Sequence, residues 1–307
     1  MPFDLENVAV QPRYVAIITG ANSGIGLETA KALARKQMTV VMACRNAEKA
    51  LQAISTIKTA MPEAKLTFIP LDLANFSSIE EFARKFKEEF QQLHLLINNA
   101  GVMVPPLSYT EEGFESQIGI NYLGHFHLTN LLFPLLDNTP DSRVVSLSSI
   151  AHKGAKIDFN NLNAEKGYSK MKAYAQSKLA CLMFALEFNR KLHKIQSGVK
   201  SVVAHPGVSP TNLMQHLPDL LLKISAPLMP MISHEPQEAA QPIIMAALDP
   251  EAIGGEYFGP TGFKEMKGPP GIVQANANAY DQRVAEQLWE AAELYTNKKF
   301  SVITVPN

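Results

Sequence analysis

Tyr174 and Lys178 stand four residues apart in Tyr174-Ala-Gln-Ser-Lys178, inside a run from Tyr168 to Leu192 that holds no Pro or Gly. Its apolar periodicity predicts a single helix, and residues four apart on a helix share a face. The phenol and the ammonium therefore reach one site, unless both belong to a plain solvated face. A free phenol titrates at about 10 and is a poor acid or base near neutrality, but a neighbouring cation favours the phenolate. Tyr174 is thus a candidate proton donor and acceptor for carbonyl and alcohol chemistry.

The elements upstream decide what such a helix could serve. Tyr14 to Thr19 (YVAIIT) is a short apolar run that suits a strand buried on both faces of a parallel sheet. Thr19-Gly20-Ala21-Asn22-Ser23-Gly24-Ile25-Gly26 follows and opens a helix to about Lys36. Strand, glycine turn and helix form the setting of a dinucleotide fingerprint. Glycines let the backbone approach a pyrophosphate, and the helix N-terminus offers N–H groups and a positive dipole end. The spacing here is G-x-x-x-G-x-G. The second strand, Thr39 to Ala43, ends in Cys44-Arg45, where an acid would bind a ribose 2′-hydroxyl. An Arg there accommodates a 2′-phosphate, so NADPH is expected over NADH.

The remaining strands alternate with helices. Asn46 caps a helix to Ala60. A third strand, Leu66 to Ile69, leads into Pro70-Leu71-Asp72-Leu73. Asp72 either accepts the adenine amino group or caps the turn before a helix from about Ser77 to Phe90. The fourth strand, Leu93 to Ile97, closes in Asn98-Asn99-Ala100-Gly101, at a carboxyl end where open α/β sheets bind ligands. Glu111 to Leu136 reads as a long helix. Asn121 is a poor residue inside it, so it needs a structural hydrogen bond or a role in the site. His125 and His127 lie two apart and face different ways, so no metal site is expected from them or from the other histidines. The fifth strand, Arg143 to Leu147, delivers Ser148 and Ser149. The loop Ala151 to Tyr168 is long enough to suggest function. The sixth strand, Val199 to Ala204, precedes His205-Pro206-Gly207-Val208-Ser209-Pro210-Thr211. Residues 212–234 are rich in Leu, Met and Pro and suit a substrate lid, ordinary core, a subunit interface or a membrane-docking surface. Helices from Glu235 to Leu248 and Asp281 to Tyr295, with a short last strand Glu256 to Phe258, complete the chain. This alternation predicts one doubly wound parallel sheet of Rossmann type, an α/β fold with helices on both faces. The whole chain, 1–307, is expected to be one domain, with residues 14–211 as its cofactor-binding and catalytic core and 212–250 as its substrate lid region.

The bulk properties exclude several classes. With 307 residues, 46% of them hydrophobic and 19% charged, the chain can bury a large core and is not disordered. A net charge of -1 with no run of like charges speaks against a nucleic-acid surface. Cys44 and Cys181 are the only cysteines, which fits a reducing, cytoplasmic setting rather than a disulfide scaffold. The N-terminal residues show no signal peptide, and no apolar run approaches the ~18 residues of a membrane span.

Taken together, TGANSGIG, NNAG, an Asn in the following helix, a Ser after the fifth strand, YAQSK and PGVSPT resemble the short-chain dehydrogenase/reductase family. ACRN, the spacing from Ser149 to Tyr174, and Gln287-Leu-Trp-Glu290 look like its retinol dehydrogenase-like branch. The resemblance implies an NADP(H)-dependent oxidoreductase acting on a small lipophilic carbonyl or alcohol. It implies Tyr174 as general acid, Ser149 as partner of the substrate oxygen, and Lys178 as support for the phenolate and holder of the nicotinamide ribose. It implies that Asn121 supports a water linking Lys178 to solvent, and that Pro206, Gly207, Val208 and Thr211 flank the nicotinamide. The cofactor set is then Gly20, Asn22, Ser23, Gly24, Ile25, Gly26, Arg45, Asp72, Leu73, Asn99, Ala100, Gly101, Tyr174 and Lys178, with those four. A homo-oligomer is compatible with this reading. A nucleotide-sugar epimerase also uses Tyr-x-x-x-Lys, and a cofactor-binding regulator could keep the fold; the glycine spacing and the intact Asn–Ser–Tyr–Lys set weigh against them.

Overall fold

The computed structural model describes residues 3–209 and 233–300. Short β-branched and aliphatic runs form the strands β1 (Val15–Thr19), β2 (Thr39–Cys44), β3 (Leu66–Pro70), β4 (Leu95–Asn98), β5 (Arg143–Leu147), β6 (Lys200–Ala204), β7 (Tyr257–Pro260) and β8 (Pro270–Ile272). They make one sheet in the order β3-β2-β1-β4-β5-β6-β7-β8. The first seven pair in parallel, in registers such as Ile18 with Met42 on one side and Ile97 on the other. Only β8 runs antiparallel, against β7.

Strand residues point alternately to two apolar layers. Ile17, Val41, Leu96, Val144 and Val203 face one core. Ala16, Ile18, Met42, Ile97, Val145 and Val202 face the other. Over the second core lie α1 (Gly24–Arg35), α2 (Ala47–Ala60) and α6 (Gln241–Leu248). Over the first lie α3 (Phe76–Glu89), α4 (Gly124–Asp137), α5 (Lys170–Lys194) and α7 (Gln282–Tyr295). Each helix presents a stripe to its layer; α3 does so with Ile79, Phe82, Ala83 and Phe86. Trp289 of α7 packs among Phe126, Phe184 and Phe188, ring centroids 4.9, 5.7 and 6.1 Å away. The strand order reverses between β1 and β4, which opens a crevice at their carboxyl ends. The chain is therefore a single-domain Rossmann-type α/β fold.

The elements depart from the expected spans where local chemistry intervenes. The stretch expected as one helix from Glu111 starts at Ser116–Ile118, passes through a π-helical turn at Gly119–Leu123, and only then becomes α4. The helix expected from Glu235 breaks at Ala240 into Pro236–Ala239 and α6, each piece with Pro in its first turn. Proline cannot donate to a preceding turn and clashes with its carbonyl, so each starts a new helix. A strand after β7 was not expected, since Pro270-Gly271-Ile272 has little strand character. It forms because β7 would otherwise leave an edge unpaired. The proposed lid, residues 212–234, falls outside the described residues except for Ser233 and His234, and so does Thr211.

Candidate active site

The glycine turn joins β1 to α1. Gly20 and Gly24 have φ of +67° and +53°, the left-handed region that disfavours side chains. A Cβ on Gly26 would overlap Asn99 Nδ2 and Gly20 O, both 2.5 Å away, so this glycine lets the turn close on the Asn99 loop. Asn99 Nδ2 donates to Thr19 O at 2.7 Å. Ser23 stands at the N-cap of α1 and gives no side-chain bond to the helix, whereas Asn46, Asn75 and Asp281 cap α2, α3 and α7. The first turn of α1, with Ile25 buried, thus keeps its N–H groups clear of side-chain caps. Beneath the turn, burial pushes the Cys44 thiol up to about 11, with the amides of Ala21 and Asn22 pulling the other way.

Arg45 follows β2 with its side chain 75% exposed, and its Nη1 lies 3.9 Å from Asp72 Oδ2. Asp72 Oδ1 accepts from Ala74 N at 2.9 Å, so one oxygen shapes the turn after β3 while the other faces Arg45. Leu73 is buried, and its carbonyl packs against Gly124 at the start of α4.

Asn121 occupies the π-helical turn, where Gly124 N–H bonds Gly119 O. Such turns often mark functional sites. Its side chain accepts from Val102 N at 2.8 Å and donates to Val102 O at 3.0 Å and Ser177 Oγ at 2.9 Å. The amide orientation is fixed by these backbone partners, which supplies the hydrogen-bonding reason its mid-helix place demanded. Asn121 O receives His125 Nδ1 at 3.0 Å and Cys181 Sγ at 3.0 Å. This backbone carbonyl therefore has two side-chain donors.

The His125 tautomer follows from its neighbours. Thr19 Oγ1 accepts from the amides of Asn99 and Ala100, each at 2.9 Å. Its own proton then points to His125 Nε2 at 2.9 Å, so the ring proton sits on Nδ1 and donates to Asn121 O. Burial holds this imidazole down to about 4, so it is neutral. The chain Asn99/Ala100–Thr19–His125–Asn121 ties the glycine turn to the π-turn. The sequence marks His125 only as an unsuitable metal ligand and Thr19 only as the start of the glycine turn; the one signal of their link is that His125 lies four residues after Asn121.

Lys178 and Tyr174 share one face of α5, 5% and 6% exposed. Lys178 Nζ donates to Leu147 O at 3.1 Å, at the end of β5. A Cβ on Gly101 would stand 3.0 Å from Asn121 Oδ1 and 3.4 Å from Lys178 Nζ, so these three residues meet. Ser149 caps the short turn after β5, and its Oγ accepts from Ala151 N at 3.2 Å. His152 Nδ1 donates to Ser149 O at 2.7 Å, while Nε2 accepts from Asn276 N at 3.2 Å, a clamp missed in the sequence. Pro206–Val208 follow β6, with Gly207 at φ +75° against Met266 O. The predicted residues that are described all stand at carboxyl strand ends or on the adjoining helices. Among the described residues, no three His, Cys, Asp or Glu side chains are grouped to hold a metal ion.

Comparison with known proteins agrees with this geometry. The sequence profile described as short chain dehydrogenase matches residues 14–220. The chain is 40% identical to mouse polyprenol dehydrogenase over 285 residues, covering 91% of this chain and 82% of that protein. It is also 40% identical to human retinol dehydrogenase 13 over 294 residues, 93% of this chain and 86% of that one. A crystal structure of an uncharacterized protein from Mycobacterium paratuberculosis superposes with a TM-score of 0.82 at 34% identity, covering 98% of this chain and 100% of that one. The protein is an oxidoreductase of the short-chain dehydrogenase/reductase family, in its retinol dehydrogenase-like branch.

Proposed function

We propose that the protein interconverts a lipophilic aldehyde or ketone and its alcohol with NADP(H). The observation that carries this reading is the meeting of Gly101, Asn121 and Lys178 one helical turn from Tyr174. The family uses a nicotinamide cofactor, and the residues present fit one. A helix start free of side-chain caps suits a pyrophosphate, and Gly101 leaves the space beside Lys178 that a Cβ would fill. Gly20, Asn22, Ser23, Gly24, Ile25 and Gly26 would cradle the phosphates. Arg45 would hold the 2′-phosphate, Asp72 and Leu73 the adenine. Asn99, Ala100, Gly101, Tyr174, Lys178, Pro206, Gly207, Val208 and Thr211 would line the ribose and nicotinamide. When bound, the cofactor supplies or accepts the hydride.

The protein's own residues supply geometry and protons. Tyr174 donates its phenolic proton to the carbonyl oxygen in reduction and recovers it in oxidation. The ammonium of Lys178 stabilises the charge left on the phenol. Ser149 Oγ hydrogen-bonds the substrate oxygen and stabilises its developing charge. Asn121 holds the Val102 backbone and Ser177 in place around Lys178.

Support for a lipophilic substrate comes from residues 212–234, an apolar stretch directly after the Pro206–Thr211 segment, read here as a lid. The relatives named for polyprenol and retinol point the same way. Buried, unpaired Cys44 and Cys181 suit a cytoplasmic enzyme. No described helix is long and apolar enough to cross a membrane, and a homo-oligomer is compatible with this reading.

The test is kcat/KM with NADPH along a straight-chain aldehyde series. Each methylene buried should add about 0.8 kcal/mol, roughly fourfold, until the pocket is full. A flat series would remove the lid and lipophilic specificity from this reading.

A further inference from the structure

Glu265 lies in a turn with no glycine at its bend. Lys264 and Glu265 have φ of +49° and +57°, a left-handed pair that costs free energy for non-glycine residues. The turn aims the Glu265 carboxylate inward, its side chain only 19% exposed. One oxygen receives Lys153 Nζ at 2.7 Å, from the short turn after Ser149. The other lies 3.1 Å from Nε2 of fully buried His205, the residue before Pro206, in a contact too angled for a straight hydrogen bond. His205 Nδ1 accepts from Gly207 N at 3.3 Å, so its proton sits on Nε2, the nitrogen nearer the carboxylate. The next residue continues the junction, because Met266 O accepts from Val208 N at 2.9 Å. His152 and Tyr257 close the cluster, with the His205 and Tyr257 rings 5.1 Å apart and those of His152 and Tyr257 5.6 Å apart.

We propose that Glu265 is a positioning residue that locks the loop after Ser149 to the Pro206–Val208 segment, fixing the carbonyl side of the site against the nicotinamide side. The inference rests on the roles proposed above for Ser149 and Pro206–Val208. Lys153 donates to one carboxylate oxygen, and His205 stands 3.1 Å from the other in a polar contact without a hydrogen bond, so two separate loops meet at this side chain. A glutamine replaces one of the two oxygens with an amide donor and removes the negative charge, so one of the two contacts is left facing N–H groups. An aspartate keeps both acceptors on a shorter arm. The left-handed backbone, held without glycine, is the strain expected where a side chain's direction matters.

The test compares wild type, Glu265→Gln and Glu265→Asp by amide hydrogen exchange at Gly207 and Val208, and by kcat with NADPH and a long-chain aldehyde. Binding of the adenine half alone, as 2′-phospho-ADP-ribose, is measured beside them. Glu265→Gln should speed exchange at both amides about tenfold and lower kcat about tenfold. Its affinity for the adenine fragment should stay within about twofold, and Glu265→Asp should recover part of both losses. Unchanged exchange in Glu265→Gln overturns the proposal. So does faster exchange with unchanged kcat, or an equal loss of fragment binding, which would mark a merely structural role. If wild type turns over no carbonyl, the proposed function fails, and exchange at Gly207 and Val208 alone decides whether Glu265 is the junction.

Discussion

At the end of the crevice proposed for catalysis, Tyr174 and Lys178 are almost completely buried, and Asn121 gives every side-chain bond to protein. At the end proposed for the adenine, Arg45 is mostly exposed and meets Asp72 only at 3.9 Å. The two regions serve different needs. Proton transfer needs groups held in place before the substrate arrives, because misplacement is costly in rate. Choosing a phosphate needs only a cation of sufficient reach, since surface ion pairs contribute little on their own. The catalytic end should therefore respond to substitution in rate and stability, and the adenine end in cofactor preference alone.

The largest expected effect breaks the catalytic end directly. Tyr174→Phe should remove about 10²–10⁴-fold of kcat, the usual share of general acid catalysis, with NADPH affinity nearly intact. Lys178→Ala should harm both, because the proposed function has it serve the phenol and the ribose; steady-state kinetics beside a binding titration separates the two cases. Next comes the buried scaffold. His125→Phe removes the acceptor for Thr19 and a donor to Asn121 O. Urea unfolding should show a loss of about 1–3 kcal/mol. The lower half of that range is expected, because Thr19 can turn to Ile97 O at 3.4 Å and Cys181 still serves Asn121 O.

At the adenine end the effects are smaller and selective. Arg45→Asp should weaken NADPH by about tenfold or more, the worth of one charge-assisted contact, and improve NADH. Equal wild-type affinity for the two cofactors would remove Arg45 from that role. The pH dependence of stability sharpens the contrast further. His125 titrates at about 4 in the fold, below its ordinary value near 6.5, so the fold favours the neutral ring. That contribution is complete above about 6.5 and is lost as pH falls towards 4, at up to about 1.4 kcal/mol per pH unit. Burial lowers His152 and His205 as well, in the same direction. Melting temperature followed over this window should fall less steeply in His125→Phe than in wild type.

Much of this arrangement was legible because its signals are local. Thr19 to Gly26 carries its strand, turn and helix within a few residues, and α5 placed Tyr174 and Lys178 by spacing alone. What escaped depends on distant partners. Thr19 and His125 are 106 residues apart, and no local pattern announces their bond. The π-turn at Asn121 reads in sequence as ordinary helix. Strand β8 has a Pro and a Gly among its three residues and exists only because β7 offers an edge. Lys264 and Glu265 adopt left-handed backbone with no glycine to mark it.

The separation of the two ends is tested most directly by kcat/KM for NADPH in wild type, Tyr174→Phe, Arg45→Asp and the double variant. Distant, independent sites add in free energy to within about 0.3–0.5 kcal/mol. The account predicts a double-variant loss equal to the product of the single losses, most of it from Tyr174→Phe. It is contradicted if Tyr174→Phe keeps more than about half the activity, or if the double variant departs from that product by more than about threefold.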